Sequence, residues 1–334
     1  MTATQTEPAP PDTVPERGGP SFLRGKEIGV VGAVVVVFAV FALGNANFAG
    51  LSNLQTMGVD LAQYGLLALG VSFVIITGGI DLSVGSVVAL SGVWSAWLNV
   101  HAGLPDVVAI AVTLVTGAAI GLVHGFSVTI LGVPPFVTTL VTLVAARGAA
   151  LALTQGFPID GVGATFTSVA QYRIAAIPVP TLLFAGACVL AWFFLERTHV
   201  GRQLYAVGGN AEASRLAGIR TRRRVVLAYV VSSVLASAVG VLVTARLTVG
   251  QPSVATGWEL NAIAAAVIGG ISLSGGVGRV IGVAFGAVLL VCINSGLVIL
   301  HVSPYYQQIV LGAVLAVAVV TDRLRARRSE RAQR

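Results

Sequence analysis

From Ile28 onward the chain is a succession of nearly uncharged apolar runs, separated by short breaks rich in Gly, Pro or Arg. Each run is long enough to cross a bilayer, which takes roughly 17 to 25 residues. In hydrocarbon the backbone must bond to itself, so such runs fold as helices. Ten are expected, at about 28–45, 59–78, 82–100, 106–131, 135–154, 179–196, 225–245, 259–271, 277–298 and 304–321. Composition closes off the soluble alternative. Hydrophobic residues make 56% of the chain, glycine adds 40 residues, and only 10% are charged, against about a quarter in a soluble domain. A fold in water cannot cover that much apolar surface. The expected fold class is all-α, a polytopic membrane helix bundle with about ten transmembrane helices.

The polar residues 1–27, with Pro8, Pro10, Pro11, Pro15 and Pro20 and no apolar core, read as a disordered cytoplasmic tail rather than a signal peptide. The membrane domain is then 28–321, and 322–334 form a basic cytoplasmic tail. The net charge of +7 invites a nucleic-acid reading, but the arginines stand in blocks without the interleaved aromatics of a strand-binding surface. With the N-terminus inside, 17 of the 20 basic residues fall on the inner side. The exceptions are Arg147, Arg173 and Arg246. That asymmetry places both termini in the cytoplasm.

Cys188 and Cys292 sit inside apolar runs and read as small packing residues, with no metal spacing. Two glycine ladders, Gly117-Gly121-Gly125 and Gly278-Gly282-Gly286, line single helix faces and allow close backbone approach, within the chain or between protomers. His124 on the first ladder reads as a hydrogen-bonded packing residue. Two stretches are alike: Ile76 to Gly85, with Gly78, Gly79, Asp81 and Ser83, and Val267 to Gly276, with Gly269, Gly270 and Ser272. In each, a Gly pair can end one helix and an Asp or Ser can cap the next. Both stretches would share one orientation, so the similarity is local and does not make an inverted repeat. Asp81 has a second reading, as a proton or cation site of a secondary transporter.

The inner segment 197–224 holds seven arginines around a short predicted helix, Ala211 to Ala217. Asn210 suits its N-cap, Glu212 its first turn and Gly218 its stop position. At 1.5 Å per residue it is about 10 Å long, with Ala213, Leu216 and Ala217 on one face. Such a helix can dock in a partner's groove or rest on lipid headgroups. No Walker A motif is present, because the sole lysine, Lys26, precedes Glu27. A nucleophile elbow, H-E-x-x-H and paired intramembrane aspartates are absent too.

The run Leu67-Ala68-Leu69-Gly70-Val71-Ser72-Phe73-Val74-Ile75-Ile76-Thr77-Gly78-Gly79-Ile80-Asp81-Leu82-Ser83-Val84-Gly85-Ser86 resembles the permease subunits of bacterial ABC importers for ribose, xylose and galactose. Further matches are Gly201 to Ile219, Ala245-Arg246-Leu247 through Gly250-Gln251-Pro252, Gly269 to Arg279, and Ser303-Pro304-Tyr305-Tyr306-Gln307. The likeness covers nearly all of 45–322. It implies a transport subunit rather than an enzyme, with no cofactor of its own, in the bacterial inner membrane. The implied partners are a separate ABC ATPase with tandem nucleotide-binding domains, an extracytoplasmic sugar-binding protein and a second copy in a homodimer. Glu212-Ala213-Ser214-Arg215-Leu216-Ala217-Gly218 matches the family's E-A-A-x-x-x-G coupling pattern, with Ser214 in place of an Ala. The resemblance thus assigns Gly201, Gly209, Asn210, Glu212, Ala213, Leu216 and Gly218 to ATPase coupling.

The glycine-broken elements 78–85 and 269–276 are expected hinges. Candidates for the substrate path are Phe136, Thr138 and Thr139, the two outer-half arginines Arg147 and Arg246, and Asn261. An arginine in the membrane faces a partner, a wet path or, by snorkelling, the headgroups. Competing functions keep the fold and change the cargo (branched-chain amino acid, nucleoside or furanosyl signal), or replace ATP with an ion gradient.

Overall fold

The computed structural model describes residues 25–332. Thirteen α-helices are present among them: α1 (Gly25–Gly44), α2 (Leu51–Ile76), α3 (Val84–Val100), α4 (Asp106–Thr129), α5 (Pro135–Thr154), α6 (Ala164–Gln171), α7 (Val179–Trp192), α8 (His199–Gly209), α9 (Ala211–Leu216), α10 (Thr221–Leu247), α11 (Trp258–Ile268), α12 (Val280–Ile299) and α13 (Pro304–Ala332). The strands are four two-residue pieces in two antiparallel pairs. Seven helices are long and apolar enough to cross a membrane, counting α7 with its π-helical extension to Arg197. Three shorter apolar helices, Val84–Val100, Trp258–Ile268 and Pro304–Val320, fill the remaining places.

Helix ends follow local chemistry. Proline at the first turn starts α5 and α7, where its missing N–H costs nothing. Thr77 and the left-handed Gly78 (φ +84°) stop α2. Several expectations need correction. The second helix begins at Leu51, eight residues before the predicted start. Helix α1 begins at Gly25, inside the expected tail, and α13 runs on to Ala332, through most of the expected basic tail. Residues 1–24 and 333–334 of those two tails lie outside the described residues. The connection 156–177 contains α6, and the segment 197–224 holds two helices, α8 and α9, where one was expected.

The core is built on α2 and α10, which run antiparallel. Arg246 meets Asp60 towards one end of the pair, whereas Gly70 packs on Ser232 farther along. Helix α3 lies along α10: a β-carbon at Gly92 would touch the Gly240 carbonyl, and Gly250 packs on Ala96. Helix α11 lies along α2, with the Tyr64 and Trp258 rings 4.8 Å apart. Two non-helical segments complete the pattern, the second a short strand followed by turns. Residues 77–83 precede α3, and residues 249–257 descend beside α3 before α11 begins. The first turns of α3 and α11 meet inside the bundle, Gly85 against Glu259 and the Ala255 carbonyl. Two positive helix ends thus converge at mid-depth, as in discontinuous transporter helices.

This is consistent with a likeness between 76–85 and 267–276 that is local and makes no inverted repeat. The counterpart of 77–83, running in the opposite direction, is 249–257 rather than 267–276. The stretches 76–85 and 267–276, alike in sequence, lie side by side, tied by a bond from Gly276 N to Ile76 O of 2.9 Å. Both glycine ladders pack within the chain. Gly117, Gly121 and Gly125 press α4 onto Ser237, Val230 and Val226 of α10, and Gly282 and Gly286 press α12 onto Gly269 and Ala265.

Candidate functional site

At the end of the bundle that carries α8 and α9, three glycine pairs come together. A β-carbon on Gly208, in the last turn of α8, would run into the Ile76 carbonyl and lie 2.7 Å from Gly276 N. One on Gly276 would lie 2.8 Å from Gly209 Cα, and one on Gly275 would lie 3.1 Å from Gly78 Cα. The last turn of α8 therefore rests, backbone on backbone, on both glycine-broken elements. Side chains would hold these segments apart; contact alone requires glycine at 208, whereas Gly78, Gly275 and Gly276 also take left-handed φ of +84°, +84° and +70°.

Helix α9 stands out from this junction. Asn210 Oδ1 accepts from Ala213 N at 2.9 Å, the expected N-cap, and Gly218 stops the helix with φ +79°. Glu212, Ala213, Leu216 and Ala217 are exposed, with Leu216 at 82%, whereas Ser214 is buried. The residue that departs from the E-A-A pattern therefore faces inward, and the outward face is intact. Gly201 is not on that surface. It is buried, and a β-carbon there would strike Phe194 and Leu195, so it seats α8 on the end of α7. Gly209 is exposed, and a β-carbon would meet nothing within 4 Å.

Two further contacts brace this end. Tyr205 Oη donates to Gly278 O at 3.0 Å. Burial first, then Glu196, pushes the Tyr205 phenol up to about 12, with Arg279 acting the other way. The hydroxyl therefore remains a donor at neutral pH. Arg279 bridges Glu27 at the start of α1 (3.1 Å) and Glu196 at the end of α7 (3.3 Å). The two carboxylates outweigh burial and raise the Arg279 pKa.

Deeper in, Asp81 is fully buried and its carboxylate is saturated by short bonds. Oδ1 accepts from Ser83 N (2.9 Å) and Ser83 Oγ (2.6 Å), and Oδ2 accepts from Ser232 Oγ (2.7 Å). Asp81 is not itself the cap of α3: the N-cap is Ser83, and Asp81 makes a turn onto Ser83 just before the helix, with an additional tie to α10. Ser272 does not act likewise: α12 starts only at Val280, and Ser272 Oγ pairs with Ser274 Oγ. Beside Asp81, Gly79 approaches Tyr229 Oη, and His124 bonds Thr142 at 2.8 Å, as expected of a packing histidine. Gly269 lies against Gly282, and Gly270 is left-handed at φ +91°.

The path candidates separate. Phe136 is half exposed on α5, Thr138 and Thr139 are buried, and Thr139 Oγ1 donates to Ile80 O of the first non-helical segment at 3.2 Å. Arg147, two turns farther along α5, donates to Pro252 O (2.8 Å) and Val254 O (2.7 Å) of the second. Arg246 pairs with Asp60 at 2.6 Å and reaches Gln63 at 3.2 Å, so it answers a partner as well as the surface. Asn261 is buried near the start of α11, and its Oδ1 has no partner among the described residues. The sequence reading missed Gly208, Gly275, Gly276, Tyr205, Arg279, Ser232 and Glu259. Recurrent Gly-Gly pairs at 208–209 and 275–276 were the available signal.

A family model described as branched-chain amino acid transport system / permease component matches residues 53–319. The chain belongs to this permease family. The permease is 39% identical over 297 residues to the ribose import permease protein of Escherichia coli (strain K12), covering 87% of this chain and 91% of that protein. It is 38% identical over 295 residues to the ribose import permease protein of Bacillus subtilis (strain 168), covering 88% and 91%. To the D-allose transport system permease protein of Escherichia coli (strain K12) it is 34% identical over 292 residues, covering 87% and 90%. No solved structure matches the permease. Its relatives are transport components rather than enzymes, and the permease is a helical multi-pass membrane protein of the same kind.

Proposed function

We propose that the chain is the membrane-spanning subunit of an ATP-driven importer, passing a monosaccharide of the ribose or allose kind handed over by an extracytoplasmic binding protein. It crosses the bacterial cytoplasmic membrane ten times, the three shorter helices completing the count, with both termini inside. Two copies pair around the path. A separate ATPase with tandem nucleotide-binding domains receives α9 in a groove, gripping Glu212, Ala213, Leu216 and the turn at Gly218.

The observation that carries the reading is the seat of α8 and α9. The exposed, capped α9 with its bare leucine follows α8 after the single residue Asn210, and the last turn of α8 rests directly on both breaks of the bundle. Force on α9 therefore reaches the discontinuous helices through α8. The relatives supply the cargo class. In the proposed cycle, ATP binding draws the two α9 helices together, the junction at Gly78, Gly208 and Gly276 moves with them, and the segments 77–83 and 249–257 change which side is open. Phe136 and α5, carrying Arg147, border the path. Gly78, Gly79, Asp81, Ser83 and Gly85 form one hinge, and Gly269, Gly270 and Ser272 the other.

The family description names branched-chain amino acids, so cargo is the second question. Proteoliposomes containing the permease, its ATPase and its binding protein should take up ribose or allose when ATP is inside. They should do so without an ion gradient. Uptake by the permease alone, collapsed by an ionophore, would sink the ABC reading. A binding protein that holds leucine and no sugar would move the cargo to amino acids.

A further inference from the structure

The seam between α4 and α10, near the loop helices, opens into a groove of about 570 Å³. Leu122, Phe126, Ile130, Leu227 and Val230 are among its walls, and Arg222 and Arg223 complete it. Gly125 packs against Val226 and Gly121 against Val230. The two arginines therefore stand level with Ile130 at the loop end, and Leu122 lies at the deep end. From Leu122 to Ile130 the wall is about 12 Å long at 1.5 Å per residue. Leu122, Phe126 and Ile130 are each about half exposed, on a helix that spans the membrane.

We propose that this groove is a binding site for an anionic phospholipid, its acyl chain along α4 and its headgroup phosphate on Arg222 and Arg223. The occupant follows from charge and depth. Neither arginine takes part in an ion pair among the described residues, where the pairs are Arg246–Asp60, Arg279–Glu27 and Arg279–Glu196. Segment 197–224 has seven arginines and a single acid, Glu212, on the far face of α9. An unpaired cationic mouth over an apolar slot matches a negatively charged headgroup and its tail, the arrangement of basic pockets between helices at the cytoplasmic face. A protein partner would find an apolar slot about two turns long on a helix with the length and composition of a membrane span, where no soluble groove reaches.

The site has a consequence for the loop. Arg222 and Arg223 open α10 directly after α9, and neighbouring Arg224 Nε donates to Gln203 of α8 at 2.7 Å. A lipid held here fastens the hinge end of the coupling segment to the membrane surface. ATP-driven movement of α9 then pivots about a fixed point.

The test uses the purified permease–ATPase complex. Native mass spectrometry after detergent exchange should show phosphatidylglycerol retained on the wild type in preference to phosphatidylethanolamine. The Arg222→Gln/Arg223→Gln variant should lose about thirtyfold of that preference, each arginine near the surface contributing about fivefold. Leu122→Trp, which fills the slot and leaves the charges, should lose the lipid while still binding the ATPase. Should Leu122→Trp fail to assemble, the arginine variant decides alone, because its sites are exposed. Equal retention of both lipids by the wild type overturns the proposal. So does undiminished phosphatidylglycerol on the arginine variant, or loss of ATPase capture in that variant with its lipid unchanged, which would assign the arginines to the ATPase.

Discussion

Replacing Gly208 with alanine introduces one methyl group at the junction of three segments. That methyl would overlap the Ile76 carbonyl and sit 2.7 Å from Gly276 N, inside the 2.9 Å bond joining those two groups. The loop must retreat. Losing the bond costs about 1 kcal/mol, and forcing a methyl into a close-packed contact costs about 1–3 kcal/mol more, so Gly208→Ala should destabilise by about 2–4 kcal/mol. Gly209→Ala is the control. Its methyl meets nothing within 4 Å, and alanine favours the last helical turn by about 1 kcal/mol, so it should be neutral or slightly stabilising. The assay is sugar transported per ATP hydrolysed in proteoliposomes, with thermal unfolding and ATPase capture on the same preparations. Gly208→Ala should still capture the ATPase through the untouched face of α9, hydrolyse ATP, and move several-fold less sugar per ATP. An unchanged ratio for Gly208→Ala, or an equal defect in Gly209→Ala, would refute the claim that this contact transmits the stroke.

Other expectations are simpler to state. Arg147→Met strands the carbonyls of Pro252 and Val254; with charged hydrogen bonds contributing about 1.5–3 kcal/mol each, transport and melting temperature should both drop, and Arg147→Lys should recover part of the loss. Asp81→Asn keeps an acceptor for Ser83 N, and its amide N–H can donate to Ser232 Oγ once that hydroxyl turns. ATP-driven uptake should therefore survive it, whereas Asp81→Ala should destabilise clearly in a thermal melt; abolition of uptake by Asn, with stability intact, would revive an ionic role. Tyr205 has its folded pKa raised to about 12 from an ordinary 10, so the stability it contributes is complete below pH 10 and declines as pH rises towards 12. An alkaline unfolding series of wild type against Tyr205→Phe should show that decline in the wild type alone.

The spanning helices were legible because lipid leaves the backbone no alternative, and runs such as 106–129 and 280–299 declare themselves by length. The cap of α9 was legible for a local reason: Asn210 and Gly218 act on residues within one turn. The descending segment 249–257 was not. Nothing in Gly250 to Gly257 distinguishes a loop outside the membrane from one that enters it, since the difference lies in Arg147 bonding its carbonyls from a hundred residues away. The glycine junction was half visible. The pairs at 78–79 and 269–270 stood out as helix breakers, yet what makes 208 glycine is its contact with the segments at 76 and 276, and a single chain of letters does not carry that. Helix α8 escaped notice because it is not apolar enough to span, although Thr198 caps it by accepting from Gly201 N at 3.0 Å.

Helix α5 is bonded at two heights, through Thr139 to the carbonyl of Ile80 and through Arg147 to those of Pro252 and Val254. Eight residues of rigid helix separate the two anchors, about 12 Å. A rod fixed to both broken segments cannot tilt away from one without tilting towards the other. In the proposed cycle α5 would act as a rocker, carrying a shift of either segment to the other through the bonds that hold it.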